Sequence, residues 1–117
     1  MRVDAYMRVP ECEDLFAVGD IARYPDPWAT GSFTWIKFWK NAIDTGDVAG
    51  RAVASSLGYG AKTSRIGYFP SMVTEVFGLR IEIAGNPKIS DSVEIVCGDL
   101  DRLGHVSVYL HAGAHRA

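Results

Sequence analysis

The pair Gly19-Asp20 carries the clearest chemical potential in the chain, because it interrupts an apolar run that ends at Val18. A glycine after a buried strand lets atoms of another molecule approach the backbone, and a neighbouring carboxylate accepts hydrogen bonds from hydroxyl groups. A polyol is the kind of ligand that such a pair suits. An aspartate after a strand also commonly forms a turn or caps a helix, and this alternative stays open for Asp20.

Two short strands are predicted on the N-terminal side of this pair. Residues Val3 to Val9 fit an edge strand that ends at a turn over Pro10 to Glu13. Residues Leu15 to Val18 are continuously apolar, which favours a strand that is covered on both faces. Because the chain offers few elements to cover that strand, we expect a homo-oligomer or a complementing polypeptide.

The longest helical pattern runs from about Trp35 to Leu57, after a loop over Tyr24 to Gly31. Thr34 is a plausible N-cap and Gly58 a plausible stop. A break near Gly46 is the alternative to one continuous helix. The stripe expected to face the core consists of Ile36, Trp39, Ile43, Gly46, Gly50, Val53 and Leu57. The two glycines within it predict a neighbour packed close to the helix backbone.

The second half of the chain changes to the alternating pattern of strands. Leu79 to Ile83, Val93 to Cys97 and His105 to His111 each alternate apolar and polar residues, with turns between them. Together they predict one small antiparallel sheet of three strands. The fold class is therefore α+β, a strand and a long helix followed by a small sheet. We place the boundary between residues 1–60 and 61–117, with the two parts expected to form one compact unit.

Composition and spacing exclude several classes of function. A formal net charge of −2 offers no broad basic surface for nucleic acid, and no apolar run approaches the roughly 20 residues of a membrane helix. A cytoplasmic location follows by default. Cys12 and Cys97 form no C-x-x-C pair and are interpreted as reduced thiols. His105 and His111, six residues apart on one strand, lie about 20 Å from each other, too far to share a metal.

The N-terminal segment resembles a known family of flavoenzymes. Val3-Asp4-Ala5-Tyr6-Met7-Arg8-Val9 is similar to a "V-D-x-x-x-R-T" lead-in, and the run through Gly19-Asp20 resembles the second flavin-contacting segment of FAD-dependent pyridine nucleotide reductases. The resemblance implies that Asp20 holds the ribityl chain of FAD and that Gly19 permits its approach.

The helical segment resembles the same family more narrowly. Trp35 to Ala42, with the Gly46 and Ala49 to Ala52 stretches, is similar to the "R-x-E-H-W-x-N-A…Q-G-x-x-A-A-R" segment of ferredoxin, rubredoxin and putidaredoxin reductases. The resemblance places Trp39 beside the flavin ring. The arginine, glutamate and histidine of that pattern are replaced by Trp35, Lys37 and Phe38. A core aromatic residue is the alternative interpretation of Trp39.

A third segment, Gly67 to Gly85, resembles "P-Y-F-W-S-D-x-Y-G-L-R-I-Q-x-x-G", the start of the family's C-terminal interface domain. Met72-Val73 stands where the family has the Phe-Trp pair that reaches toward the nicotinamide side of the flavin. This departure argues against efficient hydride transfer through the usual site. No G-x-G-x-x-G motif occurs, so neither a first FAD motif nor an NAD(P)H domain is recognisable.

The resemblance implies the rear part of an NAD(P)H-dependent FAD oxidoreductase that passes electrons to an iron-sulfur carrier. The candidate cofactor-binding residues are Gly19, Asp20 and Trp39, with no catalytic or metal-binding residue assigned. Because the pyrophosphate and adenine sites are not recognisable, we expect the isolated chain to bind FAD weakly or not at all. The alternative is a non-catalytic oligomerisation or interaction module, or a degenerate fragment, derived from such an enzyme.

Overall fold

The computed structural model describes residues 1–29, 31–87, 90–111 and 114–115, the last two by their backbone alone. Within these residues there are one α-helix, α1 (Trp39–Ser56), and seven strands: β1 (Tyr24–Pro25), β2 (Phe33–Thr34), β3 (Ser71–Val76), β4 (Leu79–Ala84), β5 (Ser92–Asp99), β6 (Gly104–His111) and β7 (Ala114–His115). Short 3-10 turns cover Gly19–Ile21 and Leu100–Arg102. The helix and the antiparallel strand pairs confirm the α+β class.

The chain divides into two compact units, Met1–Tyr68 and Phe69–Ala117. In the first unit, α1 packs on a core that consists of Val3, Met7, Val9, Ala17, Ala22, Tyr24, Val48, Ala49 and Ile66. The largest side chains that are fully buried here are Met7, Val3, Val48 and Thr45. A polar residue among these four indicates that hydrogen bonding, as well as apolar burial, fixes the helix in place.

The predicted strand from Val3 to Val9 is wrong, because the carboxylate of Asp4 folds this segment into a turn. Its Oδ1 accepts hydrogen bonds from the N–H groups of Tyr6 and Arg8, at 2.8 and 2.9 Å. Met7 adopts a left-handed backbone with φ of 66° inside the turn. A carboxylate that satisfies nearby backbone donors offers the chain an alternative to strand pairing.

The predicted strand from Leu15 to Val18 is also not formed as a strand. Phe16 makes a single isolated bridge to Arg8, and of the four residues only Ala17 is buried. Leu15 and Val18 are 41% and 37% exposed, so the segment is not covered on both faces. This removes the argument for a homo-oligomer that rested on Leu15 to Val18.

Helix α1 is continuous from Trp39 to Ser56, so the predicted helix is confirmed and the break near Gly46 does not occur. Its start lies later than expected, at the N-cap Phe38, whereas Thr34 belongs to β2. At its end, Gly58 has φ of 81°, and the N–H groups of Gly58 and Tyr59 bond to the carbonyls of Ser55 and Ala54. This is a Schellman ending, which the predicted stop at Gly58 anticipates.

The face of α1 that was predicted to be buried is in fact its exposed side. Trp39, Ile43 and Leu57 are 83%, 58% and 68% exposed, and the space around Gly46 and Gly50 contains no close neighbour. The buried residues are Asn41, Thr45, Val48, Ala49 and Ala52. The stripe prediction was wrong because it followed side-chain bulk, while the actual contact face uses small and hydrogen-bonding side chains.

The second unit consists of two separate antiparallel sheets instead of the single predicted one. β4 pairs with β3, a strand that the sequence pattern did not indicate, and β5, β6 and β7 form the other sheet in that order. A β-bulge interrupts β5 between Ile95 and Cys97. Among the described residues of this unit, Gly85 and Leu110 are the buried ones. Both hairpins therefore present apolar side chains to solvent.

Within the described part of the chain, no helix combines the length and the apolar character needed to cross a membrane. Cys12 and Cys97 are free and exposed, and Cys97 lies on β5 as expected. Among the same residues, no group of three or more histidine, cysteine or carboxylate side chains could hold a metal ion.

Replacement of Gly98 by alanine should destabilise the β5–β6 hairpin strongly. The residue has φ of 83°, and a Cβ atom there would lie 2.0 Å from the carbonyl oxygen of Gly104. We expect Gly98→Ala to lower the free energy of unfolding by about 3 kcal/mol or more, because backbone strain and overlap add. Urea denaturation of the full chain measures this loss.

Gly78→Ala is the matched control for Gly98→Ala. Gly78 has φ of 77° in the β3–β4 turn, but nothing lies within 4 Å of the position of its Cβ. The control therefore carries the strain without the overlap, and a loss of about 1 kcal/mol is expected. Equal losses in the two variants would contradict the steric explanation.

Candidate functional site

The candidate site lies where the 3-10 turn Gly19–Ile21 meets helix α1. Gly19 is buried with φ of 64°, and its N–H group donates to the hydroxyl Oγ1 of Thr45 at 2.9 Å. A Cβ atom at Gly19 would lie 3.3 Å from the Cβ of Ala42. The close approach that this glycine allows is therefore an approach by α1, and it brings the turn onto the first half of the helix.

A network of buried polar groups connects the turn, the helix and β1. The Thr45 hydroxyl also donates to the carbonyl of Asn41 one turn earlier, at 2.7 Å. The Oδ1 atom of Asn41 accepts the hydroxyl of Tyr24, and its Nδ2 donates to the carbonyl of Ile36 at 2.7 Å. Asn41 therefore holds three segments at once: β1, the approach to the helix, and the helix itself.

Burial strongly affects the phenol of Tyr24 within this network. Tyr24 is 3% exposed, and desolvation raises its pKa to about 12, with the nearby carboxylates of Asp26 and Asp44 adding to the shift. At neutral pH the phenol is therefore a protonated donor, as its bond to Asn41 requires. Neither Tyr24 nor Thr45 was singled out from the sequence, although Asn41 and Thr45, four residues apart, share one helix face.

The carboxylate of Asp20 is the exposed polar side chain of the turn. Among the described residues it makes no hydrogen bond, and Val18, the residue before the turn, provides no side-chain cap either. Its main-chain oxygen accepts a hydrogen bond from the indole Nε1 of Trp35. Within the part of the chain that the structure describes, the Asp20 side chain therefore neither caps a helix nor closes the turn, and its role as a ligand contact stays a prediction.

The N-terminal end of α1 is the second part of the candidate site. Its N-cap, Phe38, makes no side-chain hydrogen bond, and its first turn contains no acidic residue. The first N–H groups of such a helix favour an acceptor or a negative charge. Trp39, the first residue of the helix, is 83% exposed and so is not a core aromatic residue.

Of the two lysines at this end of the helix, Lys37 is the one that adds positive charge, because Lys40 is neutralised by a carboxylate. The Nζ atom of Lys37 lies 3.9 Å from the ring centroid of Trp35, while Lys40 pairs with Asp44 at 2.6 Å. Lys37 makes no ion pair among the described residues. The turn thus carries an exposed carboxylate, and the start of α1 carries an exposed aromatic ring and one lysine without an ion pair among the described residues.

A search of solved structures finds a similar fold in the covalent putidaredoxin reductase-putidaredoxin complex. The TM-score is 0.76 at 19% sequence identity, and the match covers 95% of this chain. The chain therefore has a fold similar to that of the matched part of this complex. The match covers 24% of the solved chain, so this chain spans about a quarter of that length. No family model matches the sequence, and a search of curated proteins finds no match.

The residues present fit one end of FAD. A carboxylate without a protein partner suits the hydroxyl groups of a ribityl chain, and an uncapped helix end suits the electron-rich edge of a flavin ring. The assignment of Gly19, Asp20 and Trp39 to a cofactor stays a prediction. Gly19 would not contact the cofactor through the side that lacks a Cβ atom, because that side faces Ala42 of α1. It would contribute by letting the turn pack against the helix.

Loss of the Thr45 hydroxyl should loosen the turn from the helix. In Thr45→Val the buried N–H of Gly19 loses its acceptor while the shape is nearly kept, so the free energy of unfolding should fall by about 1–3 kcal/mol. Thr45→Ser keeps the hydroxyl, and the exposed Thr63→Val serves as the control. A Thr45→Val variant as stable as Thr63→Val in urea denaturation would contradict this role.

Alkaline pH should remove the contribution of Tyr24. Because the pKa of its phenol is higher in the folded state than the ordinary value of 10, the stabilisation is complete below pH 10 and is lost as pH rises through 12. The two-unit difference corresponds to at most about 3 kcal/mol. The stability difference between wild type and Tyr24→Phe, measured by urea denaturation from pH 8 to 12, should therefore shrink above pH 10. A constant difference would contradict the assignment.

Proposed function

We propose that this chain contributes part of the flavin site and the interface sheets of an NAD(P)H-dependent FAD oxidoreductase of the ferredoxin reductase type. The observation that carries the proposal is the exposed Asp20 carboxylate on a turn that is held against the first half of α1. The reductase-like fold and the resemblance of the Gly19-Asp20 and Trp39 segments to flavin-contacting segments support it.

In this proposal each residue has a separate task. Asp20 accepts hydrogen bonds from the ribityl hydroxyl groups. The N-terminal end of α1 and the ammonium of Lys37 favour negative charge on the flavin ring. Trp39 lies beside the flavin ring. When bound, FAD supplies the conversion between two-electron transfer from NAD(P)H and one-electron transfer to an iron-sulfur carrier. The remaining parts of the nucleotide sites would come from another polypeptide or from further sequence.

A non-catalytic interaction module is the second candidate function, and the exposure of the second unit favours it. Val73, Val93, Ile95 and Val96 on its strands are between 47% and 58% exposed, and the turn residue Phe77 is fully exposed. Exposed apolar side chains on small sheets with open edges are typical of surfaces that join another chain. Light scattering at tens of micromolar protein distinguishes the two: a mass above the monomer supports the interaction module, and a monomer weighs against it.

The flavin proposal is tested with FMN, which contains the ring and the ribityl chain without the adenosine part. Titration of the full chain, followed by amide NMR shifts, should perturb Gly19 to Ile21 and Trp39 to Ala42 with millimolar affinity. Asp20→Ala should raise the Kd at least about fivefold, because the hydroxyl groups lose a charged acceptor.

Asp14→Ala is the matched control for Asp20→Ala, since Asp14 is an exposed carboxylate of the same N-terminal segment. Its Kd for FMN should equal that of the wild type. Shifts scattered over the surface, or an equal loss of affinity in both variants, would contradict a flavin site at Asp20.

A further inference from the structure

Trp35 is held on two sides in the segment that leads into α1. On one edge, its indole Nε1 donates to the main-chain oxygen of Asp20, 2.5 Å away. On one face, the ammonium of Lys37 lies 3.9 Å from the ring centroid, a cation–π contact. The side chain is nevertheless 50% exposed, so it contributes little to the core of the unit.

The turn Gly19–Ile21 is fixed at two successive points by these contacts and those of the helix. The N–H of Gly19 is bound by the buried Thr45, and the carbonyl of Asp20 is bound by Trp35. Within the turn, the N–H of Ala22 bonds to the carbonyl of Gly19 at 3.1 Å. The backbone on both sides of the Asp20 Cα atom is therefore held, while the carboxylate is left without a hydrogen bond among the described residues.

We propose that Trp35 is the positioning residue of the flavin site. Its indole N–H fixes the main chain of Asp20 so that the carboxylate points outward to ribityl hydroxyl groups. Lys37 holds the indole ring of Trp35 in place through the cation–π contact. This inference rests on the flavin function proposed above. It assigns a role to two residues at which the chain departs from the family pattern, where arginine and glutamate stand instead.

The geometry separates this role from a merely structural one. Thr45 is fully buried and fastens the turn to the helix, so its loss must affect the whole unit. Trp35 is half exposed, and Trp35→Phe removes only the N–H donor while it keeps an aromatic ring under Lys37. Its loss should therefore change the orientation of Asp20 much more than the thermal stability.

The test compares FMN binding to wild type, Trp35→Phe and Trp35→His in the full chain. Trp35→Phe should raise the Kd about five- to tenfold, the effect of one hydrogen bond, with the melting temperature almost unchanged. Trp35→His restores a ring N–H and should recover most of the affinity. Trp28→Phe, at another exposed tryptophan of the same unit, is the control and should bind FMN as the wild type does.

A second readout needs no ligand. In Trp35→Phe the amide NMR signals of Asp20 and Ile21 should shift and show lower order parameters, whereas Trp28→Phe should leave them unchanged. Both results together support the proposal, and unchanged Asp20 and Ile21 signals in Trp35→Phe would overturn it.

The two hypotheses fail in different ways. Equal FMN affinity in wild type and Trp35→Phe would overturn the positioning role while leaving the flavin site intact. If millimolar FMN causes no amide shift in the wild type, the flavin function and the role built on it are both overturned, whatever happens to the ligand-free turn in Trp35→Phe.

Discussion

The hydroxyl of Thr45 is the contact on which the first unit depends. It accepts the N–H of Gly19 and donates to the carbonyl of Asn41, so one buried atom joins the turn to the helix. Burial makes this bond difficult to replace, because neither partner can turn to water. This hydrogen bond also accounts for the exposure of Asp20. Because Gly19, the first residue of the turn, is held against the helix, the side chain of the next residue lies at the surface.

Asn41 extends the same constraint toward β1 and the start of the helix. Its side chain uses both ends of the amide, one as an acceptor for Tyr24 and the other as a donor to Ile36. An amide that bridges two segments specifies one arrangement of them, whereas an apolar contact would tolerate small rotations. Small residues complete the packing, since Ala42 lies so near the turn that a Cβ atom at Gly19 would be 3.3 Å from its own Cβ.

The sequence predicted the helix and three strands of the second unit, β4, β5 and β6, but not the buried face of the helix. The continuity of α1 and its stop followed from periodicity and from Gly58, because local propensity and backbone strain determine them. The buried side of α1 did not follow, since Asn41 and Thr45 face inward for hydrogen bonds that only the folded chain contains. The same limit explains Val3 to Val9, where the Asp4 carboxylate accepts hydrogen bonds from the N–H groups of Tyr6 and Arg8 and a turn forms instead of a strand. Asp20 could be identified as a candidate, but its support by Trp35 could not, because the two are 15 residues apart in sequence.

The bulge in β5 affects how the sequence of this chain can be aligned with that of a protein of similar fold. Ile95 lies opposite Ser107 and Cys97 lies opposite Val106, so Val96 is an extra residue in the ladder. Side chains of a regular strand alternate between the two faces of the sheet, and the extra residue shifts this alternation by one position. Two residues an even number of positions apart, one before and one after the bulge, therefore project from opposite faces. An ungapped alignment to a protein without this insertion would therefore equate inward with outward residues over the rest of the strand, and it would understate how much of the hairpin the two proteins share.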